Sequence, residues 1–492
     1  VPVGICKGRP QFARRGSYAE IPSVGLRHSD EDFEVSFYVQ PYLIDAGHLS
    51  TLISCLDVNV KLGFAVLLQP TGILEAWLGN GYEIEIISST VLPLQWRWYH
   101  VVLQVVGCTV SLAVNPIVRL AEKTAAPARQ EKVLSTRPVL NVRSPVLIAA
   151  GLFDTLNSHC ETPASFFNGR VDSPVFRTLG SSSRVLAKYD FAVGIPTDTI
   201  YDMSGSEHHG RLYNCPTRAV KGYNWDGSEP DWTKAQFGYG AIHFHEDDLD
   251  DAGWETDFNI TIPLPARSGA YAAEITVSGR VMDMITFFVR PAKNMSRHNG
   301  GENREKVAIV LSTFTYLAYA NEHAFERTTY LAQSGIREDE NYHKVKRRAD
   351  LGLSLYDKHR DGSGIIYSTA KRPLLNVRPG YVHWGFHRPR EFSADLFMIG
   401  FLEKMSIAYD VCTDHDLHTD GAEILSQYNT VITGCHPEYP SLQSLDAYST
   451  YAKNGGNIMY LGGNGFYVRP SRDPLFHLHL TDNDAVVLRN CF

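Results

Sequence analysis

The sequence predicts a multidomain protein of β plus α/β class, β-rich to about residue 300 and then a parallel, doubly wound α/β domain. Three observations predict it. Asp32 to Val39 alternates polar and apolar residues, as a half-buried antiparallel strand does. Val307-Ala308-Ile309-Val310-Leu311 is instead continuously apolar, as in a sheet covered on both faces. Beyond it strand and helix patterns alternate, which implies parallel strands joined by crossovers.

The 492 residues suffice for three domains at roughly 150 residues each, with boundaries expected at 1–180, 181–300 and 301–492. In the first, β-rich runs follow at Gly63 to Leu68, Ile73 to Leu78, Trp98 to Val106 and Thr109 to Val114, with turn residues between them. Trp98 to Asn115 carries no Lys, Arg, Asp or Glu. Its polar interruptions and Val content favour two buried strands over a membrane-spanning helix. The region ends at Phe167-Asn168-Gly169-Arg170-Val171-Asp172. That ending resembles the last strand of the concanavalin A-like (laminin G-like) β-sandwich, which implies such a sandwich at the N-terminus. Sandwiches of this kind bind sugars in some proteins and serve only as packing modules in others.

The middle β-rich piece opens at Tyr189-Asp190-Phe191 and closes with the strand patterns Gly269 to Thr276 and Ile285 to Val289. Between them lies His245-Glu246-Asp247-Asp248-Leu249-Asp250-Asp251. Its carboxylates suit calcium, but a solvated turn is the expected role. His243 and His245 share one face of an expected strand; without a third ligand nearby they are expected to be ordinary strand residues.

In the α/β part, helices are expected from Ser393 to about Met405 and from Ser441 to Lys453, the second stopped by Gly455-Gly456. Strands are expected at Ala408 to Val411, Thr430 to Thr433 and Asn457 to Leu461.

A net charge of −8 argues against a nucleic-acid surface, which needs clustered Lys and Arg. The one dense basic stretch, Lys344 to Arg348, is expected to be a solvated helix face. Eight cysteines, without a CxxC pair, point to a reducing compartment. Asn259-Ile260-Thr261 and Asn294-Met295-Ser296 match the glycosylation pattern, which is frequent by chance. With no recognisable signal peptide from Val1, the expected location is the cytoplasm.

In parallel sheets, the loops after the strands' carboxyl ends converge on one edge, where ligands bind. Here they are Thr315 to Asn321, Gly434-Cys435-His436-Pro437-Glu438-Tyr439 and Gly463-Asn464. A long insertion, about Asp350 to Pro389, is rich in Tyr, Trp, His and Arg, which suggests function rather than disorder. Asp357, His359, Asp361 and Gly362 imitate the start of a calcium loop, but Ser368 stands where the bidentate Glu belongs. Gly462 to Gly465 lacks the Lys-Ser/Thr of a P-loop. Cys435 is placed like the nucleophile of a Cys-His amidotransferase, yet the following His436-Pro437 suits a nucleophile elbow poorly. The stronger candidates are oxygen ligands. A phenol, pKa about 10, gives up its proton to a hard trivalent cation, so Tyr with carboxylate favours ferric iron over zinc.

Leu311 to Asn321, Leu355 to Gly364, Thr433 to Tyr439, Tyr460 to Tyr467 and His243 to Phe258 resemble the large (beta) subunit of bacterial N,N-dimethylformamidase, in the same order. The resemblance implies a mononuclear iron held by Tyr316, Tyr356 and Glu438, with Tyr319 competing for the first role. It places His436 and Asn464 beside the metal as catalytic, substrate-orienting groups. It implies hydrolysis of N,N-dimethylformamide or a similar small amide to formate and dimethylamine, with Fe(III) activating carbonyl or water. It also implies a small helical partner subunit in a hetero-oligomer. Two departures stand out: Cys435 replaces an expected Ser, and the tail from about Ser471 diverges, as a truncated or frame-altered sheet would. The rival expectations are a glycan- or partner-binding protein with a structural α/β domain, and an amidase using Cys435 as nucleophile.

Overall fold

The computed structural model describes residues 15–22, 24, 31–117, 127–140, 144–181, 183–253, 258–263, 266–291, 307–322, 343, 348, 351–467, 479–480 and 486–487. The basic stretch from Lys344, the Asn294 triplet and most of the divergent tail lie outside the described residues. The chain divides into two compact units, residues 11–250 with 359–363, and residues 251–358 with 364–492 beside the first ten.

The first unit is built on two eight-stranded antiparallel sheets. In one, Tyr18–Ile21, Val146–Ile148, Ser50–Ser54, Leu62–Leu68, Leu74–Asn80 and Ile84–Ser88 follow one another, with Gly210–Tyr213 and Thr199–Ile200 beyond Tyr18–Ile21. The other runs Thr217–Val220, Ala241–Phe244, Gly169–Thr178, Phe33–Pro41, Tyr99–Val106, Thr109–Pro116 and Ala128–Val133, with Val185–Lys188 pairing Gly169–Thr178. The uncharged stretch is thus a hairpin, Val101 opposite Val114 and Leu103 opposite Leu112. Val101, Leu103, Val105, Val110, Leu112 and Val114 are buried. Each such side chain contributes about 1.5–3 kcal/mol through burial. They join Phe64, Val66 and Leu52 of the other sheet in one apolar cluster, where the Phe33 and Phe64 rings lie 5.8 Å apart. Gly169 is required by close approach: a Cβ there would meet the Gln40 carbonyl oxygen at 2.4 Å. The expected middle domain is shared out. Its strands through Phe244 join these sheets, while the Gly269–Val277 and Arg280–Val289 hairpin belongs to the second unit.

The second unit carries a parallel sheet in the order Tyr409–Thr413, Val307–Leu311, Thr430–Thr433, Asn457–Met459. The all-apolar Val307–Leu311 strand divides its side chains between two cores. Ala308 and Val310 pack with Leu417, Leu425, Tyr448 and Tyr451 on one face, under the helices Asp414–Asp420, Ala422–Leu425 and Leu442–Lys453. Ile309 and Leu311 pack with Phe392 and Leu402 of the helix Phe392–Lys404 on the other. Ser441 caps its helix through a bond from the Ser444 amide, and Thr413 with Asp416 forms a capping box. No helix among the described residues is long and apolar enough to cross a membrane.

Candidate active site

The first strand of the parallel sheet in chain order, Val307–Leu311, has the second on one side and the third on the other. Connections therefore leave it in opposite directions, and the crevice beyond its carboxyl end, next to Thr430–Thr433, is the switch point where open α/β sheets bind ligands. Two loops flank that crevice.

After Val307–Leu311 comes the short, fully buried helix Thr313–Ala318, ending at Tyr319. The last carbonyls of a helix lack partners within it, and here the long insertion supplies them. Asn376 Nδ2 donates to the Tyr316 carbonyl at 2.7 Å, Ser368 Oγ to that of Leu317 at 2.6 Å, and the Leu355 amide to that of Ala318 at 3.0 Å. These bonds bring Tyr356, the residue after Leu355, face to face with Tyr319, ring centroids 4.2 Å apart and 11° from parallel.

The second loop, Gly434 to Tyr439, is pinned by Thr315, whose hydroxyl accepts the Glu438 and Tyr439 amides at 3.1 and 3.3 Å. Asp395 Oδ1 accepts the Cys435 amide at 2.5 Å. Gly434 is again a matter of space, since a Cβ would lie 2.6 Å from Ser312 Oγ and 2.9 Å from Asp395 Oδ2.

Three oxygen-bearing side chains converge between the loops. The Tyr319 hydroxyl is 2.6 Å from Tyr356 Oη and 2.6 Å from Glu438 Oε2, and Tyr356 Oη is 3.2 Å from Glu438 Oε1. Tyr439 meets Tyr356 hydroxyl to hydroxyl. Glu438 is buried, while Tyr356 remains 38% exposed and opens the cluster to solvent. Burial raises the Tyr319 and Tyr356 phenols above their ordinary value. Burial also opposes the charge on Glu438, but bonds from His436 and Tyr319 outweigh it and hold the carboxyl below its usual range. Two phenols and a carboxylate sharing one point form a hard, all-oxygen donor set, and that chemistry fits a trivalent iron.

Tyr316, expected beside Tyr356 and Glu438, is elsewhere. Its buried hydroxyl donates to Asp395 on the helix Phe392–Lys404. The reason is position: Tyr316 sits inside the short helix facing Phe392, whereas Tyr319 sits at its end. Tyr319 thus takes the place in the oxygen cluster. His436 adjoins it, Nε2 3.0 Å from Glu438 Oε2 and Nδ1 3.1 Å from Glu391 Oε1. Burial works against a charged imidazole, but these two carboxylates prevail and push His436 up to about 9. Asn464 lies exposed in the loop after the last parallel strand. Cys435 is a poor thiolate, because burial and the neighbouring Asp395 and Glu391 push its thiol up.

Sequence reasoning missed Glu391 and Arg390. Arg390 stacks over the Tyr319 ring at 4.3 Å and bonds Glu391 at 3.1 Å and Glu322 at 2.6 Å. Glu391 holds φ at 56°, a left-handed value uncommon for Glu, at the start of its helix. It also missed a cluster in the first unit. His243 and His245 are buried, and so is Asp248 of the supposed solvated turn. The absent third partner is Asp361, from the segment dismissed as a calcium loop, 2.9 Å from His243. On the outer face of the second sheet, a cleft of about 860 Å³ is lined by Tyr38, His100, Asp172, Arg177 and Tyr223 among others.

The second unit thus sets two phenols and a buried carboxylate at the switch point of a parallel sheet, in a chain that also carries a large β unit. The model of the N,N-dimethylformamidase beta subunit-like C-terminal family matches residues 217–483. The chain belongs to that family. It is 34% identical to the N,N-dimethylformamidase beta subunit of Paracoccus aminophilus over 94% of its own length and 64% of the relative's. It is 38% identical to that of an Alcaligenes species over 61% of its length and 42% of the relative's. The chain thus spans less than two thirds of either relative. Among solved structures, the LG1-3 region of the laminin alpha2 chain overlaps 44% of this chain and 37% of that one, at 13% identity and a TM-score of 0.27, too low to carry an argument.

Proposed function

We propose that the chain is the iron-holding large subunit of an amide hydrolase acting on N,N-dimethylformamide or a similar small amide. The observation that supports this is the convergence of Tyr319, Tyr356 and Glu438 oxygens at the sheet's switch point. Ferric iron bound there supplies Lewis acidity that polarises a carbonyl or acidifies water. The remaining work falls to side chains. His436, bridging two carboxylates, holds a proton on Nε2 beside the site and delivers it to the departing amine. Glu391 and Arg390 fix that imidazole and the Tyr319 ring. Asn464 orients the substrate from its exposed loop. A small helical subunit completes a cytoplasmic hetero-oligomer. In the same reading the paired β-sheets are a concanavalin A-like sandwich and the parallel sheet an amidotransferase-like domain.

The test is formate release from dimethylformamide by the chain purified with its partner, alongside iron content. Turnover that tracks iron supports the proposal; turnover indifferent to iron removal rejects it. A second reading, glycan binding by the sandwich, rests on the cleft lined by Tyr38 and Tyr223. Loss of glycan retention in Tyr38→Ala, with hydrolysis intact, is its signature.

A further inference from the structure

We propose that His243, His245 and Asp361 form a second metal site, in the β unit, for a divalent transition ion of the zinc type. One ligand atom from each lies within 4.8 Å of the others, and all three residues are buried. His243 Nε2 is 2.9 Å and His245 Nε2 3.7 Å from the same oxygen, Asp361 Oδ2. Tetrahedral zinc with bonds of about 2.0–2.1 Å needs ligand atoms about 3.3 Å apart, between those two separations. Ser363 Oγ lies 3.0 Å from His245 Nε2.

The hydrogen bonds around His245 point the same way. Ser363 Oγ donates its one proton to Asp361 Oδ1 at 2.5 Å, so it turns a lone pair toward His245 Nε2. Asp248 Oδ2, which accepts from Ser17 Oγ at 2.6 Å, faces His245 Nδ1 at 3.1 Å. A neutral imidazole has one N–H and serves only one of these acceptors. With the N–H on Nδ1 toward Asp248, the Nε2 lone pair is free for a cation. Carboxylate behind histidine behind metal is the usual arrangement that orients a metal-bound imidazole.

A neighbouring triad, His245, Asp248 and His359, meets the same distance criterion but lacks the geometry. The His245 and His359 rings stack 3.6 Å apart and 4° from parallel, so their in-plane lone pairs run side by side and do not converge. Two imidazole nitrogens also set the ion class: nitrogen donors suit zinc or cobalt, whereas calcium and magnesium take oxygen.

The experiment is zinc and cobalt(II) titration of the full chain after chelator treatment, with calcium and magnesium as contrasts. The expected result is about one tightly held zinc per chain in addition to iron, and cobalt absorption of tetrahedral type. Asp361→Asn or His243→Gln lowers zinc affinity at least tenfold. Asp248→Asn, which alters the group behind His245 and leaves the three ligand residues in place, lowers it about 10–100-fold. Tyr356→Phe leaves zinc binding unchanged. The proposal is overturned if the folded chain takes up neither zinc nor cobalt, if only calcium or magnesium binds, if Asp361→Asn binds zinc as tightly as the parent, or if Tyr356→Phe removes the zinc. The parent chain's titration decides the matter even where a variant does not fold.

Discussion

Tyr319 Oη lies 2.6 Å from Glu438 Oε2 although 119 residues separate them in sequence. Parallel strands make this possible. Val307–Leu311 and Thr430–Thr433 are paired neighbours, so the loops after them leave the sheet at the same edge. Thr315 then locks one loop to the other by accepting both the Glu438 and Tyr439 amides. The cluster's positions are therefore held by bonds to the backbone as well as by side-chain packing.

The two tyrosines of the short helix are expected to separate cleanly. Tyr319→Phe removes one of the two phenols from the cluster and should weaken and shift the visible phenolate-to-iron band and lower iron affinity at least tenfold. Tyr316→Phe should keep band and iron. It leaves buried Asp395 without the bond from Tyr316 and should cost about 1–3 kcal/mol of stability. Absorption spectra with iron analysis, and urea unfolding, check the pair. A band weakened and shifted in Tyr316→Phe and kept in Tyr319→Phe reverses the assignment.

Gly434→Ala tests whether the Glu438 loop must sit where it does. The added methyl meets Ser312 Oγ and Asp395 Oδ2, both buried. Overpacking of this kind costs about 1–3 kcal/mol, and relief requires the loop to move. Weaker iron binding with a lowered unfolding midpoint is expected; an unchanged iron affinity shows that the loop has slack.

The parallel sheet was legible because its central strand is apolar on both faces, a pattern that a one-sided sheet does not produce. Glu438 was legible because it follows such a strand by five residues, on the edge where ligands bind. Tyr319 was not separable from Tyr316. The two are three residues apart on one short helix, and their directions are fixed by Phe392, Asp395 and the insertion, all distant in sequence. The histidine cluster was hidden for the same reason. Asp361 lies 118 residues from His243, and neither segment alone shows a ligand spacing. Glu391 gave no sequence signal, since its strain is a backbone angle.

Asp414 should make the second unit's stability depend on pH. Burial, reinforced by Asp395 and Asp416, pushes its carboxyl up to about 8 from the ordinary 3.8, despite a bond from the Phe314 amide. A folded-state pKa above the unfolded one means that the folded form binds the proton more tightly. Asp414's contribution to stability is therefore greatest below pH 4, declines as pH rises toward 8, and levels off above it. Asp414→Asn removes this dependence. Its unfolding midpoint should gain on the parent's between pH 5 and pH 8; a constant difference across that range contradicts the assignment.

His436 and Cys435 are neighbours with opposite expected outcomes. His436 Nε2 points at Glu438, while Cys435 Sγ donates toward the Glu391 carbonyl at 3.6 Å, away from the oxygen cluster. If proton delivery is the work of His436, His436→Gln should lower kcat by about 10²–10⁴-fold while iron content and the phenolate band persist. Cys435→Ser replaces the thiol by a slightly smaller hydroxyl and should leave kcat within about threefold, since the thiol's raised pKa disfavours the thiolate that nucleophilic attack requires. Steady-state formate release with parallel iron analysis distinguishes the two. Activity abolished by Cys435→Ser, with iron retained, would instead make the thiol the nucleophile and reduce the oxygen cluster to a structural role.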